Sequence, residues 1–71
     1  MSSLISAPLG LVVTIAKIET GDAVKRRLED LGMLAGQAIT PMSDSMGNLV
    51  LKVKDSRLVI NHGLAKRIYV R

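Results

Sequence analysis

The spacing of hydrophobic residues changes along the chain. Residues 11–18, LVVTIAKI, are almost continuously apolar and rich in β-branched side chains, which is typical of a strand covered on both faces. Within residues 20–32 the spacing lengthens, and Val24, Leu28 and Leu31 fall four and three positions apart, as on one side of an amphipathic helix. The pattern therefore predicts a first strand followed by a short helix.

Two glycines bound the junction that follows this helix. Gly32 is predicted to end the helix, because glycine accepts a positive φ without a clash from Cβ, and Gly36 to turn the chain into the next strand. Met33 and Leu34 lie between them. This pair either plugs one end of the core or stands exposed as a contact, and the plug is favoured because exposed apolar clusters are the rarer case.

The rest of the chain is predicted to be mostly strand. The clearest alternation places Leu49, Leu51 and Val53 on one face. Pro41 indicates an edge or a bulge, because proline cannot donate to a strand ladder. The predicted elements are strands at residues 37–43, 49–54, 57–61 and 67–70, turns at 44–48 and 55–56, and a helical turn at 62–66.

These elements predict a mainly β fold in one domain. About five strands, one short α-helix between the first two, a helical turn before the last and short connections are typical of a small SH3-like barrel. The domain is predicted to span residues 1–71, with residues 1–6 as an N-terminal tail. Tyr69 is the single aromatic residue, so the core is expected to consist of Leu, Val, Ile, Ala and Met.

Charge and cysteine content narrow the possible environments. The net charge is +4, but residues 52–71 hold six basic residues against one acid, whereas residues 1–51 carry a net charge of −1. Such a basic half is either a set of solvated side chains or a surface for an acidic partner, a nucleic acid or an anionic membrane. The absence of cysteine excludes disulfides and favours the cytoplasm. No apolar run is long enough to span a bilayer, so we expect no direct membrane insertion.

The sequence offers little for catalysis, and no catalytic residue is assigned. His62 is the only histidine, and the serines lie in the predicted tail and turns, so a nucleophile with a neighbouring base is not expected. Glu29 and Asp30 are adjacent on the predicted helix and point in different directions. No phosphate-binding glycine loop is present. The chain is therefore predicted not to be an enzyme.

A metal site would have to be built from one histidine, six carboxylates and three internal methionines, Met33, Met42 and Met46. Transition metals require three or four converging ligands, so we assign no metal ligand and no cofactor, and we expect the methionines to fill the core.

The sequence has the basic residues that nucleic-acid binding requires but only one aromatic residue. Phosphate contacts through Lys52, Lys54 and Arg57 are conceivable, yet only Tyr69 is available to stack on a base. By this criterion nucleic acid is not the expected partner.

Four segments together carry a family resemblance. APLG, RRLEDLGMLAGQAI, MGNLVLKV and SRLVINHGLAKRIYV occur in this order between residues 7 and 70, and in order and spacing the chain resembles the ferrous iron transport protein A (FeoA) family. The resemblance implies an SH3-like barrel with a helix between its first two strands. It also implies a cytoplasmic accessory of the ferrous iron transporter FeoB, a membrane protein with a cytoplasmic GTP-binding domain.

On this basis we predict that the protein binds FeoB and modulates its transport or GTPase activity, at the inner face of the membrane. The predicted partner-binding surface combines a charged helix face with an apolar tip and comprises Arg26, Arg27, Asp30, Leu31, Met33 and Leu34. A transition-metal sensor and a nucleic-acid-binding module are the alternatives, and the oligomeric state is left open.

Overall fold

The computed structural model describes residues 1–71, which form six strands, two α-helices and one 3₁₀ turn. The strands are β1 (Ser2–Ser3), β2 (Val13–Ile18), β3 (Ala38–Ser45), β4 (Asn48–Val53), β5 (Ser56–Asn61) and β6 (Ile68–Val70). The α-helices are α1 (Asp22–Asp30) and α2 (His62–Ala65), and the 3₁₀ turn is Leu4–Ser6.

The strands form a single antiparallel sheet in the order β1-β6-β2-β3-β4-β5, so the two ends of the sheet are β1 and β5. The sheet bends around one core, and the molecule measures 27 × 24 × 22 Å. The predicted mainly β architecture is confirmed, with α1 between the first two long strands and α2 before the last strand.

The N-terminal residues are part of the fold and not a tail. Ser2 and Ser3 pair with Val70 and Tyr69, and the Ser3 hydroxyl donates to the carbonyl of Ala65 at 3.1 Å. Leu4 is buried in the core. The expected five strands therefore become six, because a strand of two residues is too short to leave an alternating pattern in the sequence.

The first long strand is shorter than predicted. It begins at Val13, and Leu11 and Val12 lie exposed in the preceding loop. The amide of Gly10 donates to the carbonyl of Pro41 at 2.7 Å, which ties this loop to β3. Continuous hydrophobicity therefore overestimates both the length of this strand and the burial of its first residues.

The alternation predicted for β4 is confirmed, because Leu49, Leu51 and Val53 are all buried. Pro41 lies at a bulge, where the register between β3 and β4 shifts, and not at an edge, since β3 is flanked by β2 and β4. The second hairpin turns one residue earlier than predicted, because Val53 pairs with Ser56.

The core is aliphatic, as expected. Its thirteen residues are Leu4, Ile15, Ile18, Leu28, Met33, Ile39, Leu49, Leu51, Val53, Ile60, Ala65, Ile68 and Val70. The expectation that the internal methionines fill the core holds only for Met33. Met42 is partly exposed, and Met46, at the tip of the β3–β4 hairpin, is 96% exposed.

Candidate partner-binding surface

Helix α1 is attached to the barrel through very little of its own surface. Leu28 is its only buried residue, whereas Val24 is exposed and Leu31, just beyond the last turn, is 49% exposed. The predicted amphipathic helix is present, but of the three residues on its apolar side only Leu28 is buried by the barrel. An amphipathic spacing identifies the helix, but it does not reveal how much of the apolar side another element covers.

The junction after α1 is fixed by glycine geometry and by hydrogen bonds. Gly32 and Gly36 have φ values of +96° and +91°, as their predicted roles require. The Met33 amide donates to the Leu28 carbonyl at 2.9 Å, and the Gly36 amide donates to the Ile15 carbonyl at 2.8 Å. These bonds connect both ends of the junction to regular structure, so the intervening side chains are held in place.

Met33 and Leu34 are oriented differently by this junction. Met33 is fully buried at 0% exposure, and Leu34 is 44% exposed. The plug therefore consists of Met33 alone. The prediction that Met33 contributes to a partner-binding surface is wrong, because a partner cannot reach a buried side chain in this conformation, whereas Leu34 remains accessible.

The other predicted residues lie close together on the surface. Arg26, Arg27 and Asp30 are exposed, and their spacing of one, three and four positions places them on one side of α1. We define the α1 surface as this side together with the exposed apolar residues next to it, comprising Val24, Arg26, Arg27, Asp30, Leu31 and Leu34.

A shallow depression interrupts the α1 surface and is lined by Ala23, Val24 and Arg27. None of the charged residues on this surface forms an ion pair, since the two ion pairs of the chain join Lys17 to Glu19 and His62 to Asp44. Val24 is not among the residues predicted for partner binding, because its spacing indicates only that it shares one side of the helix with Leu28. Free charges around exposed apolar side chains are features of a surface that can recognise a protein.

His62 has a structural partner. Its Nε2 lies 2.6 Å from Oδ1 of Asp44, and both side chains are about one-third exposed. No group of three or more His, Cys, Asp or Glu side chains converges on a point that could hold a metal ion.

None of the helices is both long enough and apolar enough to cross a lipid bilayer.

The family model of the FeoA domain matches residues 3–71. The chain belongs to the FeoA domain family. No curated protein matches the chain, but solved structures do.

A crystal structure of an iron uptake regulatory protein, FeoA, is 28% identical and superimposes with a TM-score of 0.85, over 97% of this chain and 93% of that one. The solution structure of FeoA from Chlorobium tepidum is 21% identical, with a TM-score of 0.91 over 97% of this chain and 68% of that one. These similarities confirm the FeoA resemblance read from the sequence.

The crystal structure of Stenotrophomonas maltophilia FeoA, complexed with zinc, is 23% identical and has a TM-score of 0.85, over 100% of this chain and 91% of that one. That protein is described as a prokaryotic SH3 domain protein and as a candidate activating factor of bacterial ferrous iron transport. At this identity the likeness shows the fold, and the predicted SH3-like fold is confirmed.

Proposed function

We propose that this FeoA-family protein is a small accessory of ferrous iron uptake that binds the transporter FeoB in the cytoplasm and modulates its transport or GTPase activity. Support comes from the family, and from the S. maltophilia relative described as a candidate activating factor of ferrous iron transport. The proposed role is non-enzymatic.

The observation that carries the proposal is the α1 surface. A nine-residue helix with one buried residue leaves Val24, Leu31 and Leu34 accessible on a chain of only 71 residues. Burying such side chains on a partner contributes about 25 cal/mol for each Å² of apolar area removed from water. A partner that covers this surface would bury what the fold itself leaves open.

The charged residues of the α1 surface would select the partner. Arg26, Arg27 and Asp30 lie beside the apolar residues and have no ion-pair partner within the chain. Charges at the rim of an interface mainly set orientation, specificity and the association rate, whereas buried apolar anchors slow dissociation. We therefore assign affinity chiefly to Leu31 and Leu34, and orientation to the two arginines and the aspartate.

The test is a binding titration against purified full-length FeoB in detergent, with and without a non-hydrolysable GTP analogue. We expect saturable binding, and Leu34→Asp is expected to weaken it at least about tenfold, because a charge would enter the apolar contact. Met46→Asp is the matched control, since Met46 is also exposed but lies at the β3–β4 hairpin tip.

Circular dichroism of each variant would establish that it is folded. A folded Leu34→Asp variant that binds like the wild type would refute the assignment of the α1 surface. Failure of the wild-type chain to bind FeoB in either nucleotide state would overturn the proposed function itself. A difference between the two nucleotide states would show that the protein distinguishes them.

A further inference from the structure

We propose that a second surface, formed by β4, β5 and the loop before β2, docks on an anionic phospholipid membrane. This basic–aliphatic face combines two cations on neighbouring strands with exposed aliphatic side chains, and it comprises Lys52, Arg57, Leu9, Leu11, Val12 and Val59. The proposal stands independently of FeoB binding, because the membrane and not the transporter is the partner.

The two cations face each other without compensation. Lys52 on β4 is directly opposite Arg57 on β5, and both side chains are exposed. Like charges in directly opposite positions of an antiparallel pair destabilise the sheet. Neither cation has a carboxylate within 4.0 Å, since the ion pairs of the chain lie elsewhere. A layer of anionic lipid headgroups would therefore reduce the repulsion between Lys52 and Arg57.

An aliphatic loop lies beside these cations. The hydrogen bond from Gly10 to Pro41 holds the loop along β3, and Thr40, the neighbour of Pro41, is directly opposite Lys52. Neighbouring strands are about 4.8 Å apart, so one strand separates the loop from the cation pair. Within the loop Leu9 and Leu11 are more than half exposed, and Val12 is 68% exposed.

The strand that carries Arg57 also carries an exposed aliphatic residue. Val59 is two residues from Arg57 on β5 and therefore on the same face, directly opposite Val50, and it is largely exposed. Exposed aliphatic residues thus lie next to the cations along β5 and in the loop beside β3. Exposed aliphatic side chains grouped on one surface are typical of a site that contacts a protein or a membrane.

The composition of the face favours a membrane over a nucleic acid. Bases are commonly held on aromatic platforms, and the single aromatic residue, Tyr69, lies on β6 with the ammonium of Lys17 5.3 Å from its ring centre. Aliphatic side chains gain instead by entering the boundary between headgroups and acyl chains while nearby Lys and Arg contact anionic headgroups. The face carries both aliphatic side chains and cations, the two features that such association with a membrane surface combines.

The experiment is co-sedimentation of the full chain with vesicles, without any transporter. We expect binding to phosphatidylcholine mixed with phosphatidylglycerol, little binding to phosphatidylcholine alone, and weaker binding at high salt because the charge interaction is screened. Lys52→Gln/Arg57→Gln should bind at least about tenfold more weakly, since each cation near such a surface contributes substantially. Leu11→Ser/Val12→Ser should also bind more weakly.

Two controls match these variants. Lys25→Gln/Arg26→Gln on α1 removes the same net charge, and Met46→Ser removes an apolar side chain that is even more exposed, at the hairpin tip. Both variants should bind vesicles like the wild type. The proposal fails if the wild-type protein does not bind the mixed vesicles. It also fails if the α1 control loses as much binding as the Lys52/Arg57 variant, or if the Leu11/Val12 variant binds like the wild type. Preferential binding to DNA or RNA in competition would also overturn it.

Failure here would leave the FeoB proposal intact, because that proposal is tested in detergent and through residues of α1. Conversely, loss of FeoB binding in Leu34→Asp with unchanged vesicle binding would separate the two surfaces.

Discussion

A Cβ atom placed on Gly32 would lie 3.3 Å from Cγ1 of Val53. The residue that ends α1 therefore packs against the last residue of β4, which is itself buried. Gly32 is constrained twice, by its positive φ and by this neighbour. The contact joins the junction after α1 to the β4–β5 hairpin. The position of the α1 surface therefore depends on the close approach of the Gly32 backbone to the Val53 side chain.

The first prediction compares Gly32 with Gly36. Both have a positive φ, but a Cβ at Gly36 would meet nothing within 4 Å. Placing alanine in this left-handed region costs about 1–2 kcal/mol, so Gly36→Ala should lower the free energy of unfolding by about 1 kcal/mol. Gly32→Ala should lower it by about 2 kcal/mol or more, because Val53 must also shift. Urea titrations measure both, and equal losses would argue against the packing constraint.

The second prediction concerns the difference in burial between Met33 and Leu34. Met33→Ala should lower the free energy of unfolding by about 2–4 kcal/mol, because it leaves a cavity in the core. Leu34→Ala should change it by less than about 0.5 kcal/mol, as is usual for an accessible side chain. For a chain of this length the total stability is about 4–11 kcal/mol, so the first variant is expected to be visibly destabilised.

Chemical denaturation of the two variants under one condition provides the comparison. If Leu34→Ala proved the more damaging change, Leu34 and not Met33 would be the plug, and the accessible apolar residue of the junction would have to be reassigned.

The third prediction tests the role of the N-terminal residues. Leu4→Ala should destabilise the fold by about 2–4 kcal/mol, since Leu4 is buried although it lies only three residues from the start of the chain. Leu9→Ala is the control, because Leu9 is half exposed, and it should cost less than about 0.5 kcal/mol. Thermal or urea unfolding would distinguish them, and a neutral Leu4→Ala would restore the description of residues 1–6 as a tail.

Local signals in the sequence predict much of this fold. The alternation of Leu49, Leu51 and Val53 predicts β4 and its buried face, and Gly32 and Gly36 mark the junction correctly. Period and turn chemistry are encoded within a few neighbouring residues, so they can be read without the tertiary structure. Burial depends on what covers each side chain, and the sequence does not show this. Leu11 lies in a run that indicates cover on both faces, and Val24 shares the side of the helix that carries buried Leu28, yet both are exposed.

For the candidate surface, too, the residue types can be read from the sequence but their burial cannot. The helix and the charges of Arg26, Arg27 and Asp30 follow from the sequence, and the structure leaves all three exposed. Which of two adjacent apolar residues turns inward depends on the hydrogen bond between Met33 and Leu28 and on the conformation of both glycines. Their sequence adjacency carries no information about that choice. The basic–aliphatic face likewise depends on the strand register, which places Lys52 opposite Arg57.

The last prediction concerns the contact between His62 and Asp44. Nε2 of His62 lies 2.6 Å from Oδ1 of Asp44, which is a hydrogen-bond distance between the two side chains. The His62 amide also donates to the Gly47 carbonyl at 2.9 Å, so one residue holds the start of α2 against the β3–β4 hairpin. Both side chains are partly exposed, and solvent screening limits the interaction to about 0.5 kcal/mol.

A double-mutant cycle of Asp44→Ala and His62→Ala measures this coupling in the free energy of unfolding. We expect a coupling of about 0.5 kcal/mol, because the two groups interact directly. The cycle of His62→Ala with Asp55→Ala provides the control: Asp55 lies in the turn between β4 and β5 and has no ion pair, so its effect should add to that of His62→Ala. Additivity in the Asp44 cycle as well would mean that the backbone contact with Gly47, and not the side-chain pair, anchors α2 to the hairpin.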